Sequence, residues 1–188
     1  RHKKSNTEKH MNELFGVEFS SVTIRNFWGM LAHHNGGIWN KETYAKSLGV
    51  TAPTVGRYLE YMEAAFLVTR LQAWFANTKK RLVKAPKIYL RDSGILHTML
   101  KTPDINDLFG HPAVGLSWES FVVEQVRQLK PAHLDMYFYR THQGAEADLV
   151  LVKGMKPVAC VEIKLSGAPQ VSKGFYQSME DLKTKNNF

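Results

Sequence analysis

The sequence predicts a mixed α/β (α+β) chain in two units: a helical unit with a helix-turn-helix and a wing, then a unit that runs helix, β-meander, helix. Apolar residues recur at helical spacing over 21–33 and again over 118–129. Between them and the C-terminus lie three runs rich in β-branched and aromatic residues, broken by glycine turns. A stretch at 101–112 holding Pro103, Gly110 and Pro112 reads as the connection. The expected boundaries are 1–100 for the winged helix-turn-helix domain, with 1–20 as a linker or tail, and 113–188 for the second domain.

In the first unit, Val22, Ile24, Phe27, Trp28 and Leu31 form a core stripe, and Asn35-Gly36-Gly37 stops that helix. Asn40 is placed to cap a short helix over Lys41–Ser47, Leu48-Gly49-Val50 makes a tight turn, and Thr51 caps a second helix with Pro53 in its first turn. Val55, Leu59 and Met62 fall on the inner face of that helix, leaving Thr54, Arg57 and Tyr61 for groove contacts. The runs 66–71 and 87–90 predict two strands around a basic tip at 77–81, which is a wing. Asp92 then caps a helix to about Leu100.

In the second unit, Trp118, Phe121, Val122, Gln125, Val126 and Leu129 mark a helix, with Glu119 on a partly buried face and Glu124 read as surface. Strands are expected over about Met136–Arg140, Glu146–Val152 and Val158–Leu165, and Pro169 opens the last helix. Strand alternation puts Glu146 and Asp148 on one face, and Glu162 and Lys164 on one face. Ions in strands otherwise made of Val, Leu, Ile and Ala are costly unless paired or bound to metal. Asp148 opposes Glu162 only if paired residue numbers sum to 310, which needs an odd-numbered loop or a bulge; a plain two-residue loop pairs Asp148 with Val161 instead. If the acids converge, Asp148, Glu162 and the Ile163 carbonyl make an oxygen-rich site for Mg²⁺ or Mn²⁺, with Lys164 beside a bound water, as phosphodiester hydrolysis requires. The bland alternative is an ordinary cross-strand salt bridge.

Several function classes are excluded or constrained by composition. No apolar run approaches the ~18 residues of a spanning helix. The single cysteine, Cys160, forms no intramolecular disulfide and fits a reducing cytosol, so a cytoplasmic location is expected. No G-x-x-x-x-G-K-[S/T] occurs, so no ATP is expected in this chain through a P-loop. The formal charge of +8 is one-sided: residues 1–91 hold 15 Lys/Arg against 6 Asp/Glu, and residues 92–188 hold 10 against 11. Such an excess fits a nucleic-acid contact, with Arg57, Lys79, Lys80, Arg81, Lys84 and Lys87 as candidates, and equally a solvated lysine-rich edge. The start without methionine and the stop after an amphipathic stretch suggest a fragment of a longer protein.

Ser117-Trp118-Glu119-Ser120-Phe121-Val122, Tyr139-Arg140, Gly144-Ala145-Glu146-Ala147-Asp148 and Val161-Glu162-Ile163-Lys164-Leu165-Ser166 together resemble the PD-(D/E)XK nuclease superfamily. With Tyr89-Leu90-Arg91-Asp92-Ser93-Gly94, the set is similar to the domain of unknown function at the C-terminus of prokaryotic AAA-type ATPases, over about residues 20–182. The resemblance implies a restriction-endonuclease-like fold for 113–188, with Asp148 and Glu162 as metal ligands, Lys164 catalytic and Glu119 an accessory acid. It implies an upstream ATPase domain of the same protein as partner, with DNA a further one. Ala147 stands where the superfamily motif has proline. Two readings follow: a divalent-metal-dependent nuclease acting on DNA, or a non-catalytic regulatory, DNA-binding or interaction module on a degenerate nuclease fold.

Overall fold

The computed structural model describes residues 20–75, 80–184 and 186–187. Its first half is built of α1 (Ser21–His33), α2 (Lys41–Leu48), α3 (Ala52–Ala64), β1 (Val68–Leu71), β2 (Lys87–Leu90) and α4 (Ser93–Leu100). The caps fall where the sequence puts them: Asn40 accepts from the Glu42 and Thr43 amides, Thr51 from Thr54 and Asp92 from Ile95. Gly49, at φ 66°, ends α2 in the left-handed conformation that makes the tight turn. Phe27, Leu31, Val55, Tyr58, Leu59 and Met62 bury together with Val68, Ile88, Leu90 and Leu96. The result is a helix-turn-helix closed by a two-stranded antiparallel ribbon, β1 with β2.

The second half comprises α5 (Ile105–Gly110), α6 (Val114–Leu129), β3 (Asp135–Arg140), β4 (Glu146–Lys153), β5 (Lys156–Val161), α7 (Lys173–Leu182) and β6 (Asn186–Asn187). Four differences from expectation stand out. The connection is not irregular throughout, because Asp104 caps the short α5. The helix expected from Trp118 starts at Val114, and the last helix starts at Lys173, capped by Ser172, rather than at Pro169. The third strand ends at Val161, so Glu162, Ile163 and Lys164 lie just past it. The sheet runs β3-β4-β5-β6, antiparallel except for the parallel pair β5 and β6.

Two irregularities set the side-chain directions in this sheet. Lys153 pairs with Lys156 across the two-residue turn Gly154-Met155, a register that taken alone opposes Asp148 to Val161. One extra residue in β5, Val158, then shifts the register, so that Leu151 pairs with Ala159 and Leu149 with Val161, both summing to 310. On the other side of β4, Tyr137 pairs with Val150 but Tyr139 with Ala147, which sets Asp148 and Leu149 against the single residue Phe138. The bulge sends Leu149 into a cluster with Phe138 and Val123, while Ala147, Val150 and Val152 pack on the opposite face with Tyr139 and Phe175.

β2 belongs to both halves. Ile88 and Leu90 enter the core of the helix-turn-helix, and Tyr89, on the alternate face, packs with Val123, Phe138 and Leu149. The described residues between β1 and β2 do not project freely as a wing. The Trp74 amide donates to the Phe138 carbonyl (2.7 Å) and the Phe138 amide to the Gln72 carbonyl (3.0 Å), while the Val83 amide donates to the Arg140 carbonyl and the His142 amide to the Arg81 carbonyl (both 3.0 Å). Strand-like stretches on both sides of the wing are thereby stitched onto the free edge of β3, which otherwise would expose unpaired amides. Among the described residues, no helix is long and apolar enough to cross a membrane.

Candidate site between the two halves

A cavity of about 510 Å³ opens where the halves meet, and it collects the ions that the sequence singled out. α6 supplies Glu119, β4 supplies Glu146 and Asp148, and the stretch after β5 supplies Glu162 and Lys164. The first half supplies Gly36, Gly37 and Ile38 after α1, and Lys87 from β2. Gly36 allows the close approach: its φ is 73°, and a Cβ there would stand 3.0 Å from the Tyr89 ring. A larger cavity, of about 680 Å³, lies between α4 and α5, but the one carboxylate lining it, Asp104, is used as the α5 cap.

Lys87 sits at the centre of the acids. Its Nζ donates to Glu119 Oε1 at 3.1 Å and lies 3.4 Å from Glu146 Oε1 and 3.5 Å from Asp148 Oδ1, with only 5% of the side chain exposed. The Tyr89 hydroxyl donates to the same Glu119 oxygen at 2.6 Å, and the Ile163 amide donates to Asp148 Oδ2 at 2.8 Å. Burial pulls the Lys87 ammonium toward losing its proton, but Glu119, Asp148 and Glu146 outweigh it and its pKa rises. Asp148 is pushed up, first by burial and then by the neighbouring Glu119 charge, with Lys87, the Ile163 amide and Lys164 opposing. Burial and Glu119 also hold the Tyr89 phenol well above its ordinary range.

Glu162 and Lys164 form a second, more open group on the same cavity wall. Lys164 Nζ lies 3.1 Å from Glu162 Oε1, and Glu162 Oε2 accepts from the Ser172 amide at the start of α7 at 2.9 Å. Burial would raise the Glu162 carboxyl, and the bonds from Ser172 and Lys164 lower it. Gly174 permits this wall to close, since a Cβ there would fall on the Gly144 carbonyl.

The structure thus brings Glu119, Asp148, Glu162, Ile163 and Lys164 to one region. Glu119 pairs with Lys87 and Tyr89, and Arg140 lies 3.6 Å from Glu146. The nucleic-acid candidates disperse. Lys87 is corrected from a wing cation to a buried one, because Ile88 and Leu90 take the core and turn Lys87 onto the face that α6 and β4 cover. Lys80 pairs with Asp181 of α7 at 2.7 Å, while Arg57, Arg81 and Lys84 are exposed and Lys79 lies outside the described residues. Glu124 is also corrected: it is buried, not surface, and takes bonds from Arg91, Arg127 and Gln128. Of the four tryptophans, Trp28, Trp39 and Trp74 serve the core, whereas Trp118 is 38% exposed and stacks on Phe121. Tyr89 was missed as a site residue and Lys87 was named only as a nucleic-acid contact, although the alternation of Lys87, Tyr89 and Arg91 with Ile88 and Leu90 marks a strand polar on one face.

A divalent ion on the expected ligands, Asp148, Glu162 and the Ile163 carbonyl, would have to displace partners already in place: Lys87 and the Ile163 amide on Asp148, and Lys164 and the Ser172 amide on Glu162. The carboxylates of Glu119, Glu146 and Asp148 are gathered about an ammonium, and a divalent ion at their common point would stand against it. Among the described residues, no group of three or more His, Cys, Asp or Glu is placed to hold a metal ion.

Comparison with known proteins gives matches over both halves. Residues 4–106 match the domain of unknown function DUF8612, and residues 114–188 match the domain of unknown function DUF4143. The chain is 39% identical over 168 residues to uncharacterized protein Mb2031c of Mycobacterium bovis and to uncharacterized protein Rv2008c of Mycobacterium tuberculosis. Those alignments take in 89% of this chain and 38% of each relative, so the chain spans well under half the length of these proteins. Among solved structures, it is similar to MepR, a transcription regulator of the Staphylococcus aureus multidrug efflux pump MepA, at 15% identity, over 65% of this chain and 87% of that one, with a TM-score of 0.32. It is similar at 18% identity to the S. aureus MepR-DNA complex, over 65% and 88%, with a TM-score of 0.32. Scores this low carry no argument about fold or function. With the first family match taking in more than half of its residues, this chain belongs to the DUF8612 family of domains of unknown function.

Proposed function

We propose that the chain is a non-catalytic regulatory and interaction module of a longer, cytoplasmic ATP-binding protein, in which a nuclease-like unit is kept as a scaffold. One observation carries this reading: two acids of the nuclease-like motif, Glu119 and Asp148, are turned onto Lys87 of the other half, and Glu119 onto Tyr89 as well, where catalysis would need them turned onto metal and water. The order α6, β3, β4, β5, α7, with Asp148, Glu162 and Lys164 on one cavity, supports descent from a restriction-endonuclease-like fold. DUF4143 occurs in proteins associated with AAA-type ATPases, and the greater length of the mycobacterial relatives leaves room for such a domain in them. The partner in this reading is that ATPase domain. DNA is a weaker, sequence-independent partner, reached through Arg57, Arg81 and Lys84; α3 offers one arginine and no lysine for reading bases.

The test is a plasmid-cleavage and DNA-binding assay with Mg²⁺ and with Mn²⁺, run on this chain and on the full-length protein with ATP. The expected result is no cleavage in either, and DNA affinity, where measurable, that falls with salt and is unaffected by Asp148→Asn or Lys164→Ala. Metal-dependent cleavage that both substitutions abolish in folded protein would replace this reading with the nuclease.

A further inference from the structure

We propose that the cation of the acidic site is Lys87 itself, an ammonium contributed by the first half of the molecule that neutralises the second half's carboxylates and makes the site metal-free. The inference rests on the non-catalytic reading above. An ammonium carries three N–H donors, and three carboxylates stand within 3.5 Å of this one, one from α6 and two from β4. Its side chain is 95% shielded, since 5% is exposed, whereas the other cations on the cavity, Lys164 and Arg140, are 45% and 44% exposed and sit at the rim on Glu162 and Glu146. Lys87 is also held from behind: β2 pairs with β1, and Ile88 and Leu90 on either side of Tyr89 are locked into the core of the first half. The charge that satisfies the site is therefore fixed to a different body from the charges it satisfies. Seating the halves together fills the site, and parting them exposes an unneutralised group of acids.

Manganese alone is the probe, followed by electron paramagnetic resonance and by its effect on the thermal unfolding midpoint. The wild-type chain is expected to bind no Mn²⁺ saturably and to unfold at the same temperature in EDTA and in Mn²⁺. Lys87→Gln is expected to gain a saturable site, with affinity about tenfold or more above any wild-type binding and a midpoint that rises with Mn²⁺. Adding Asp148→Asn to it is expected to remove both effects. Since Lys87→Gln alone takes the buried ammonium from three carboxylates, Lys87→Gln with Glu119→Gln is made alongside it; one positive and one negative group are removed together, so the site's net charge is that of the wild type. Mn²⁺ binding by either folded variant and not by the wild type supports the proposal. Folded variants blind to Mn²⁺ overturn it and leave the non-catalytic reading standing, as does tight Mn²⁺ binding by a wild-type chain that cleaves nothing. Cleavage by a metal-loaded wild type overturns both.

Discussion

Two ionic clusters fasten the same strand segment to the same helix. At one end of α6, Glu124 accepts from Arg127 at 2.6 Å, Gln128 at 2.9 Å and Arg91 at 3.2 Å, so that one carboxylate meets two guanidiniums and an amide. At the other end, Lys87 meets Glu119, Glu146 and Asp148, so that one ammonium meets three carboxylates. Burial would raise the Glu124 carboxyl, but its hydrogen bonds hold it down at about 2; at the Lys87 cluster, burial and Glu119 push Asp148 up instead. Glu124 is oversupplied with donors and lines none of the cavity, while the Lys87 cluster is short of positive charge and faces it. A saturated cluster can only fasten. A cluster with a charge deficit on a cavity wall is sensitive to whatever cation is present, which is why the second is the candidate site and the first is not.

The sharpest way to break this comparison is Lys87→Ala, which leaves three partly buried carboxylates without their cation and is expected to cost about 3–5 kcal/mol in urea unfolding. A loss below that of Glu124→Ala would show that the deficit does not matter. Glu124→Ala removes one charged acceptor from three donors and is expected to cost about 1.5–3 kcal/mol at neutral pH. Because the folded carboxyl lies below its ordinary 4.5, at about 2, its contribution is full above pH 4.5 and is lost as pH falls toward 2. Stability curves of wild type and Glu124→Gln should therefore converge over that window, and parallel curves would assign the acid sensitivity elsewhere. Gly36→Ala places a Cβ at φ 73° against Tyr89, for an expected cost of about 1–2 kcal/mol and a shifted Tyr89 fluorescence or ring NMR signal. Lys164→Ala should have the smallest effect, about 0–1 kcal/mol, since the side chain is 45% exposed and its pair with Glu162 is screened. A large loss there would move the centre of the site from Lys87 to Lys164.

Much of the fold is legible in the residue pattern because it is local. Asn40, Thr51 and Asp92 cap helices because their side-chain oxygens reach amides two or three residues on. Gly49 ends α2 because it adopts φ 66° without strain. The strand alternation that groups Glu146 with Asp148 is equally local, and so is the arithmetic by which a two-residue turn needs one bulge to bring Asp148 opposite Glu162. The helix starts at Val114 and Lys173 were not legible, because Gly115 and the Pro169–Ser172 approach carry weak or misleading propensities that packing overrides. Glu124 misled for a related reason: hydrophilic neighbours at helical spacing describe an exposed face equally well as a face covered by Arg91 from another element.

The sequence by itself determined the element types, their caps, and which charged side chains share a face, since these depend on dihedral preferences and on the periods of helix and strand. It did not determine what covers each face. Lys87 reads as one more lysine of a basic wing until Gln72, Trp74 and Val83 are stitched to β3 and β2 is laid against α6. Only that docking, a matter of contacts between residues 32 to 61 positions apart, turned a solvated cation into the buried partner of Glu119, Glu146 and Asp148. Strand periodicity says which way Lys87 points, whereas the dielectric and the charges it meets there belong to the tertiary structure.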